Sequence, residues 1–115
     1  MPEEGKHQYK ILTDLRSFGK YCEAFKIIKA SDNGEPDIFF TFALTGAVLI
    51  EAKRRDGSAR KLQKNKIKKL NLCGTQTFLC HCWEEWFDIK NTLGLLDMDA
   101  IKEAHDKNEI IYRSP

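Results

Sequence analysis

A chain of 115 residues, 42% hydrophobic and 31% charged, is long enough for one modest core and too short for two, so a single domain over residues 1–115 is expected. Its apolar runs fall short of the roughly 18 residues of a membrane span, and residues 1–10 are polar rather than signal-like, which predicts an intracellular protein with no membrane partner. The net charge of +2 conceals an asymmetry: residues 53–69 carry nine Lys and Arg against Asp56, a local +8, while the other ten basic and sixteen acidic residues give −6. A concentrated basic tract is the footprint of a polyanion contact, because neutralised phosphates release counterions. A solvated helix face is the other reading of such a run.

Along the chain, Tyr9, Ile11, Leu12, Leu15 and Phe18 have helical spacing, which predicts a helix over residues 3–18 ended by Gly19. Residues 21–30 alternate loosely with aromatic and β-branched types, and Ser31-Asp32-Asn33-Gly34 supplies turn chemistry. Residues 37–44 and 47–53 read as two strands joined through a tight Thr45-Gly46 turn. A helix over 58–72 follows, with Ser58 as its cap, Leu62, Ile67 and Leu70 as an apolar stripe, and Gly74 as its stop. Residues 75–83 form a strand by composition, and a strand-helix-strand crossover lays it parallel to 47–53. Two short helices over 84–93 and 97–105 and an extended piece over 109–112 complete the chain. The fold class expected is therefore α/β: helix, three-strand antiparallel meander, helix, parallel strand, then C-terminal helices, with a core over about 3–94 and an extension over about 95–115.

The charges on the central strands are the unusual feature. Residues two apart on a strand share a face, so Glu51 and Lys53 project together. A two-residue turn at 45–46 pairs 44 with 47 and 38 with 53, which brings Asp37 to the same end. Carboxylates that close repel unless they share a proton or a cation, and hard oxygen donors suit Mg²⁺ or Mn²⁺. Such an ion would acidify a bound water, with Lys53 beside it to orient that water or offset charge on a phosphate. The alternative is structural: an ion pair between Glu51 and Lys53 at a strand end and a turn capped by Asp37.

Gly34-x-Pro36-Asp37, then Ile50-Glu51-Ala52-Lys53, then Gln63 on the following helix resemble the PD-(D/E)XK nuclease superfamily and, within it, the virus-type replication-repair (VRR-NUC) branch. The resemblance spans about residues 9–86. A bare D…ExK match is common, whereas the added Gly-x-Pro and Gln are fairly specific. It implies a restriction-endonuclease-like core in which Asp37, Glu51 and the Ala52 backbone carbonyl hold the metal, Lys53 is the catalytic lysine and Gln63 an accessory site residue. The family usually adds a Glu from the first helix; here His7 or Gln8 stands where that acid is expected, with Glu3 and Glu4 one turn earlier. Arg54, Arg55, Arg60, Lys61, Lys64 and Lys68 would follow the phosphates, fixing register without reading bases. Lys26 or Lys29 would reach the same groove, or remain a solvated edge lysine.

The activity implied is a Mg²⁺- or Mn²⁺-dependent DNA endonuclease acting on branched or structured DNA, Holliday-junction resolution included. Its setting would be phage or mobile-element replication and repair in the cytoplasm of a bacterial host. Two-fold symmetry suits a four-way junction, so a homodimer is expected. The rival reading is a non-catalytic nucleic-acid-binding module with a degenerate nuclease fold. Cys22, Cys73, Cys80 and Cys82 are expected as reduced thiols; Cys73, Cys80, His81 and Cys82 match no common zinc spacing and read as core cysteines. Trp83, Trp86 and Phe87 read as core, or alternatively as part of a subunit interface.

Overall fold

Ile38, Phe40 and Phe42 are buried while Phe39 and Thr41 between them are half-buried, the alternation of a strand with two unequal faces. The computed structural model describes residues 3–28, 34–53 and 61–112, and of residues 3 and 4 the backbone. Helix α1 (Glu3–Arg16) leads through a 3₁₀ turn (Gly19–Tyr21) to strands β1 (Cys22–Lys26), β2 (Ile38–Phe42) and β3 (Gly46–Ala52). Helix α2 (Lys61–Leu72), strand β4 (Gln76–Cys80) and helices α3 (Trp83–Thr92) and α4 (Met98–Ile111) follow. The sheet order is β1-β2-β3-β4, with the first three strands antiparallel and β4 parallel to β3. The protein is thus a mixed α/β fold, with its elements in the expected order.

The even-numbered side chains of β2 and β3, namely Ile38, Phe40, Phe42, Val48, Ile50 and Ala52, join Ile11, Leu12 and Leu15 of α1 and Trp86 of α3 in one apolar core. The Trp86 ring meets Phe40 edge-on at 5.7 Å. Its indole N–H donates to Asp14 Oδ2 at 2.8 Å, and Lys90 Nζ reaches the same oxygen at 2.8 Å. Helices α1 and α3 therefore close over the Phe40 face, and each large side chain buried there contributes about 1.5–3 kcal/mol. Trp83 and Phe87 are partly exposed, so of the three aromatics Trp86 alone belongs to the deep core.

Helix α2 takes the opposite face. Its one fully buried side chain is Gln63, and Leu62 of the expected apolar stripe is about half exposed. At its far end the Asn71 amide grips β4: Thr77 N–H donates to Asn71 Oδ1 at 3.0 Å, and Asn71 Nδ2 donates to the Thr77 carbonyl at 2.9 Å.

Two expectations are corrected. The β2–β3 register pairs Phe42 with Gly46 and Ile38 with Ile50, not 44 with 47 and 38 with 53. The turn closes by a Thr45 N–H to Phe42 carbonyl bond of 3.2 Å, and Gly46 follows at φ +72°; a three-residue loop of this kind, with a left-handed residue after the turn, is the next commonest hairpin connection to the two-residue one. Residues 109–112 are not extended, because α4 runs on to Ile111, supported by i,i+4 contacts from His105 to Glu109 at 3.5 Å and from Lys107 to Glu103 at 3.3 Å. The expected turn at 31–33, Lys29, and the Ser58 cap lie outside the described residues. No helix among the described residues is long and apolar enough to cross a membrane.

Candidate active site

The register places the carboxylates. One step beyond the Ile38–Ile50 pair, Asp37 lies alongside Glu51, on the face that α2 covers. Asp37 is held by its backbone on both sides: its N–H donates to the Ile50 carbonyl at 2.9 Å and its carbonyl accepts from Ile27 N–H at 2.7 Å. Its carboxylate Oδ2 accepts the Ala52 N–H at 2.9 Å, the amide immediately after Glu51. Burial leaves Asp37 7% and Glu51 1% exposed.

Glu51 Oε1 is gripped twice. Gln63 Nε2 donates to it at 3.0 Å, and Lys53 Nζ lies 3.6 Å away, the meeting of side chains that strand parity predicts. Gln63 reaches Glu51 because the chain before Asp37 passes close under α2: a Cβ on Gly34 would lie 3.0 Å from the Leu62 carbonyl oxygen and 3.2 Å from Gln63 Cα. Gly34 also holds φ +78°, a conformation that glycine tolerates at little cost. The glycine of the Gly-x-Pro-Asp stretch thus has a mechanical reason: it lets the first turn of α2 approach closely enough for an amide to clasp the glutamate.

Lys53 is tied from below. Its N–H donates to the Cys80 carbonyl at 2.8 Å, and His7 Nε2 lies 3.1 Å from that same oxygen. His7 and Gln8 are both buried, and α1 thereby delivers an imidazole to the strand end that carries the lysine. The side chains of Glu3 and Glu4 lie outside the described residues.

The structure therefore brings together Asp37, Glu51, Ala52, Lys53 and Gln63 at one end of β2 and β3. Two buried carboxylates in fixed orientation form a hard oxygen donor set that fits Mg²⁺ or Mn²⁺. Of the basic residues expected to follow phosphates, Lys61, Lys64 and Lys68 are exposed on α2, whereas Arg54, Arg55 and Arg60 lie outside the described residues. Lys26 is exposed at the end of β1.

All four cysteines are free thiols. Cys80 is buried, Cys22 and Cys82 partly so, and Cys73 is exposed, so Cys73 does not belong to the core as expected: it follows α2, ahead of the Gly74 stop. Burial, with Glu23 and Glu85 respectively adding to it, pushes the Cys22 and Cys80 thiols up to about 12. His81 is turned to the Glu85 carboxylate at 3.1 Å. Sequence reasoning did not single out two features here. The Cys80 carbonyl that joins His7 to Lys53 is backbone and leaves no signature, and the aromatic pair Phe25–Phe39, stacked at 4.7 Å, is legible only once the strand register is known.

The chain matches no protein-family model and no curated protein sequence.

Proposed function

We propose that the protein is a metal-dependent endonuclease with a PD-(D/E)XK-type, restriction-endonuclease-like core, hydrolysing phosphodiester bonds in branched or structured DNA. The observation that carries this reading is the convergence of Asp37 and Glu51, both buried, with Lys53 on the Glu51 oxygen that Gln63 also holds. Burying carboxylates costs several kcal/mol unless their charge is compensated; among the described residues the Lys53 ammonium stands against two of them, and a divalent cation shared by both would complete the compensation.

Asp37 and Glu51 would hold Mg²⁺ or Mn²⁺, together with the Ala52 carbonyl. When bound, the cation supplies a Lewis acid for the phosphate and a water acidic enough to serve as nucleophile near neutral pH. The Ala52 amide fixes one Asp37 oxygen and the Gln63 amide fixes one Glu51 oxygen, so both carboxylates are set before the substrate arrives and little reorganisation remains. The Lys53 ammonium, carried on a backbone that its own amide N–H ties to the Cys80 carbonyl and lying 3.6 Å from Glu51, would face the phosphate and offset the charge that develops on it. Lys61, Lys64 and Lys68 give the exposed side of α2 a cationic surface for neighbouring phosphates, to which Arg54, Arg55 and Arg60 would add. Resolution of a four-way junction calls for two such sites, hence a homodimer.

The test is direct. Purified protein with Mg²⁺ or Mn²⁺ should cut a synthetic four-way junction or flap, and Lys53→Ala should keep the circular dichroism spectrum while losing cleavage by at least a hundredfold, in the range set by removing one charged transition-state contact. Calorimetric titration with Mn²⁺ should show a site that Glu51→Gln removes. Inert protein that binds DNA with steep salt dependence and ignores Mn²⁺ would instead be a non-catalytic nucleic-acid-binding module.

A further inference from the structure

The face that carries Glu51 continues beyond it. Across the sheet, Phe25 pairs with Phe39, Phe39 with Leu49, and Leu49 with Thr77, a row one pleat behind Asp37 and Glu51. The two rings stack at 4.7 Å with 26° between their planes, and Phe25, on the edge strand β1, is 48% exposed. Phe39 stands two residues from Asp37 on the same strand face, about 7 Å along the chain.

Helix α2 borders this row on one side. Asn71 faces the outer edge of β4, and the Leu62 backbone lies over Gly34 beside β2. By helical spacing, Leu62, Lys66 and Lys69 lie on the flank away from Asn71. That flank looks toward β2 and β1, so an aromatic surface with a cationic border runs directly into the carboxylate site. An apolar protein partner gains nothing from the lysines or from the nearby carboxylates; a nucleic-acid strand uses all three features, placing bases on the rings, phosphates by the lysines and one phosphodiester at Asp37 and Glu51.

We propose that the outer ring face of Phe25, backed by the stacked Phe39, forms a stacking platform for an unpaired base of the strand being cut, so that the substrate carries a single-stranded segment beside the cleavage position. A base within a continuous duplex has its faces covered by its neighbours and cannot lie on the rings, whereas every unpaired base offers a π face. The inference deepens the nuclease reading and rests on it for the position of the strand, but not for the stacking itself.

The experiment separates the two. In EDTA, where no cleavage occurs, fluorescence anisotropy compares a labelled twelve-nucleotide oligo(dT) with an abasic strand of the same phosphate count, and solution mass is measured in parallel. Lysine contacts are common to both strands, so the platform predicts tighter binding of oligo(dT) by about five- to twentyfold, the lower part of the range for one base on an aromatic side chain. Phe25→Leu, which keeps apolar packing and removes the ring, should bring the ratio close to one, and Phe25→Trp should preserve it. Equal binding of the two strands by the wild type overturns the proposal, as does a ratio that survives in Phe25→Leu, or a dimer that Phe25→Leu dissociates. Wild-type cleavage in Mn²⁺ is scored separately: inert protein that still discriminates oligo(dT) from abasic strand sinks the nuclease reading and keeps the platform, and an active nuclease blind to bases does the reverse.

Discussion

Gly34→Ala tests how the site is built, because a single methyl group opposes two features at once. The left-handed backbone at φ +78° costs a non-glycine residue about 1–2 kcal/mol. The new Cβ would also meet the Leu62 carbonyl oxygen at 3.0 Å and Gln63 Cα at 3.2 Å. Both are backbone and cannot rotate aside, so the first turn of α2 has to move, and crowding of this kind costs about 1–3 kcal/mol. The expected total is about 2–5 kcal/mol, which for a domain of this size lowers the melting temperature by about 8–25 °C. Gly46→Ala is the matched control: its φ is +72° but nothing lies within 4 Å of its Cβ, so it should lose the backbone part alone, about 1–2 kcal/mol. Urea unfolding of both variants followed by circular dichroism gives the difference. Displacing α2 also draws Gln63 from Glu51, so Mn²⁺ affinity should fall in Gly34→Ala and hold in Gly46→Ala. Equal destabilisation of the two variants, with unchanged Mn²⁺ affinity in both, would refute the idea that this glycine sets the approach of the helix to the glutamate.

Three further outcomes are expected. Asp14→Ala strands the Trp86 indole N–H and the Lys90 ammonium, and should cost about 2–3 kcal/mol in urea unfolding; adding Lys90→Met should recover part of that loss, and a double variant weaker than the single would contradict the account. The raised Cys22 and Cys80 thiols make stability fall with alkaline pH: an unfolded thiol ionises near its ordinary 9.0 while the folded one keeps its proton to about 12, so the unfolded state gains between about pH 9 and 12 and nothing changes below. The urea midpoint should drop less steeply over that window in a Cys22→Ser, Cys80→Ala double variant, and parallel curves would count against burial as the cause. In native protein at pH 8, exposed Cys73 should react with an aromatic disulfide reagent well before Cys22 and Cys80, as read by mass spectrometry of the labelled peptides.

Strand periodicity made much of this visible in advance. The parity of Glu51 and Lys53 placed both on one face, and the order of helices and strands followed from apolar spacing and from Gly19 and Gly74. The hairpin register did not, because Thr45-Gly46 satisfies a two-residue turn on paper while the left-handed Gly46 in fact follows a turn already closed at Thr45. That shift of three residues sets Asp37 beside Glu51 instead of the expected Arg54, and only the folded hairpin reveals it. The length of α4 was hidden for another reason: Ile110 and Ile111 have strand-like character, yet they stay exposed on a helix that side-chain pairs extend. Gln63 shows the opposite case, a polar residue on a lysine-rich helix whose burial makes sense only from the glutamate it reaches.

The grip of Asn71 on Thr77 bears on how copies of this chain can associate. A terminal strand normally offers a free row of peptide groups as a template for another chain. On β4 the carboxamide occupies the donor and the acceptor of Thr77, standing in for the peptide unit a neighbour would bring. The template is therefore interrupted at Thr77 on that margin, while the opposite border carries the exposed charges of Glu23 and Lys26, which disfavour close approach of another strand.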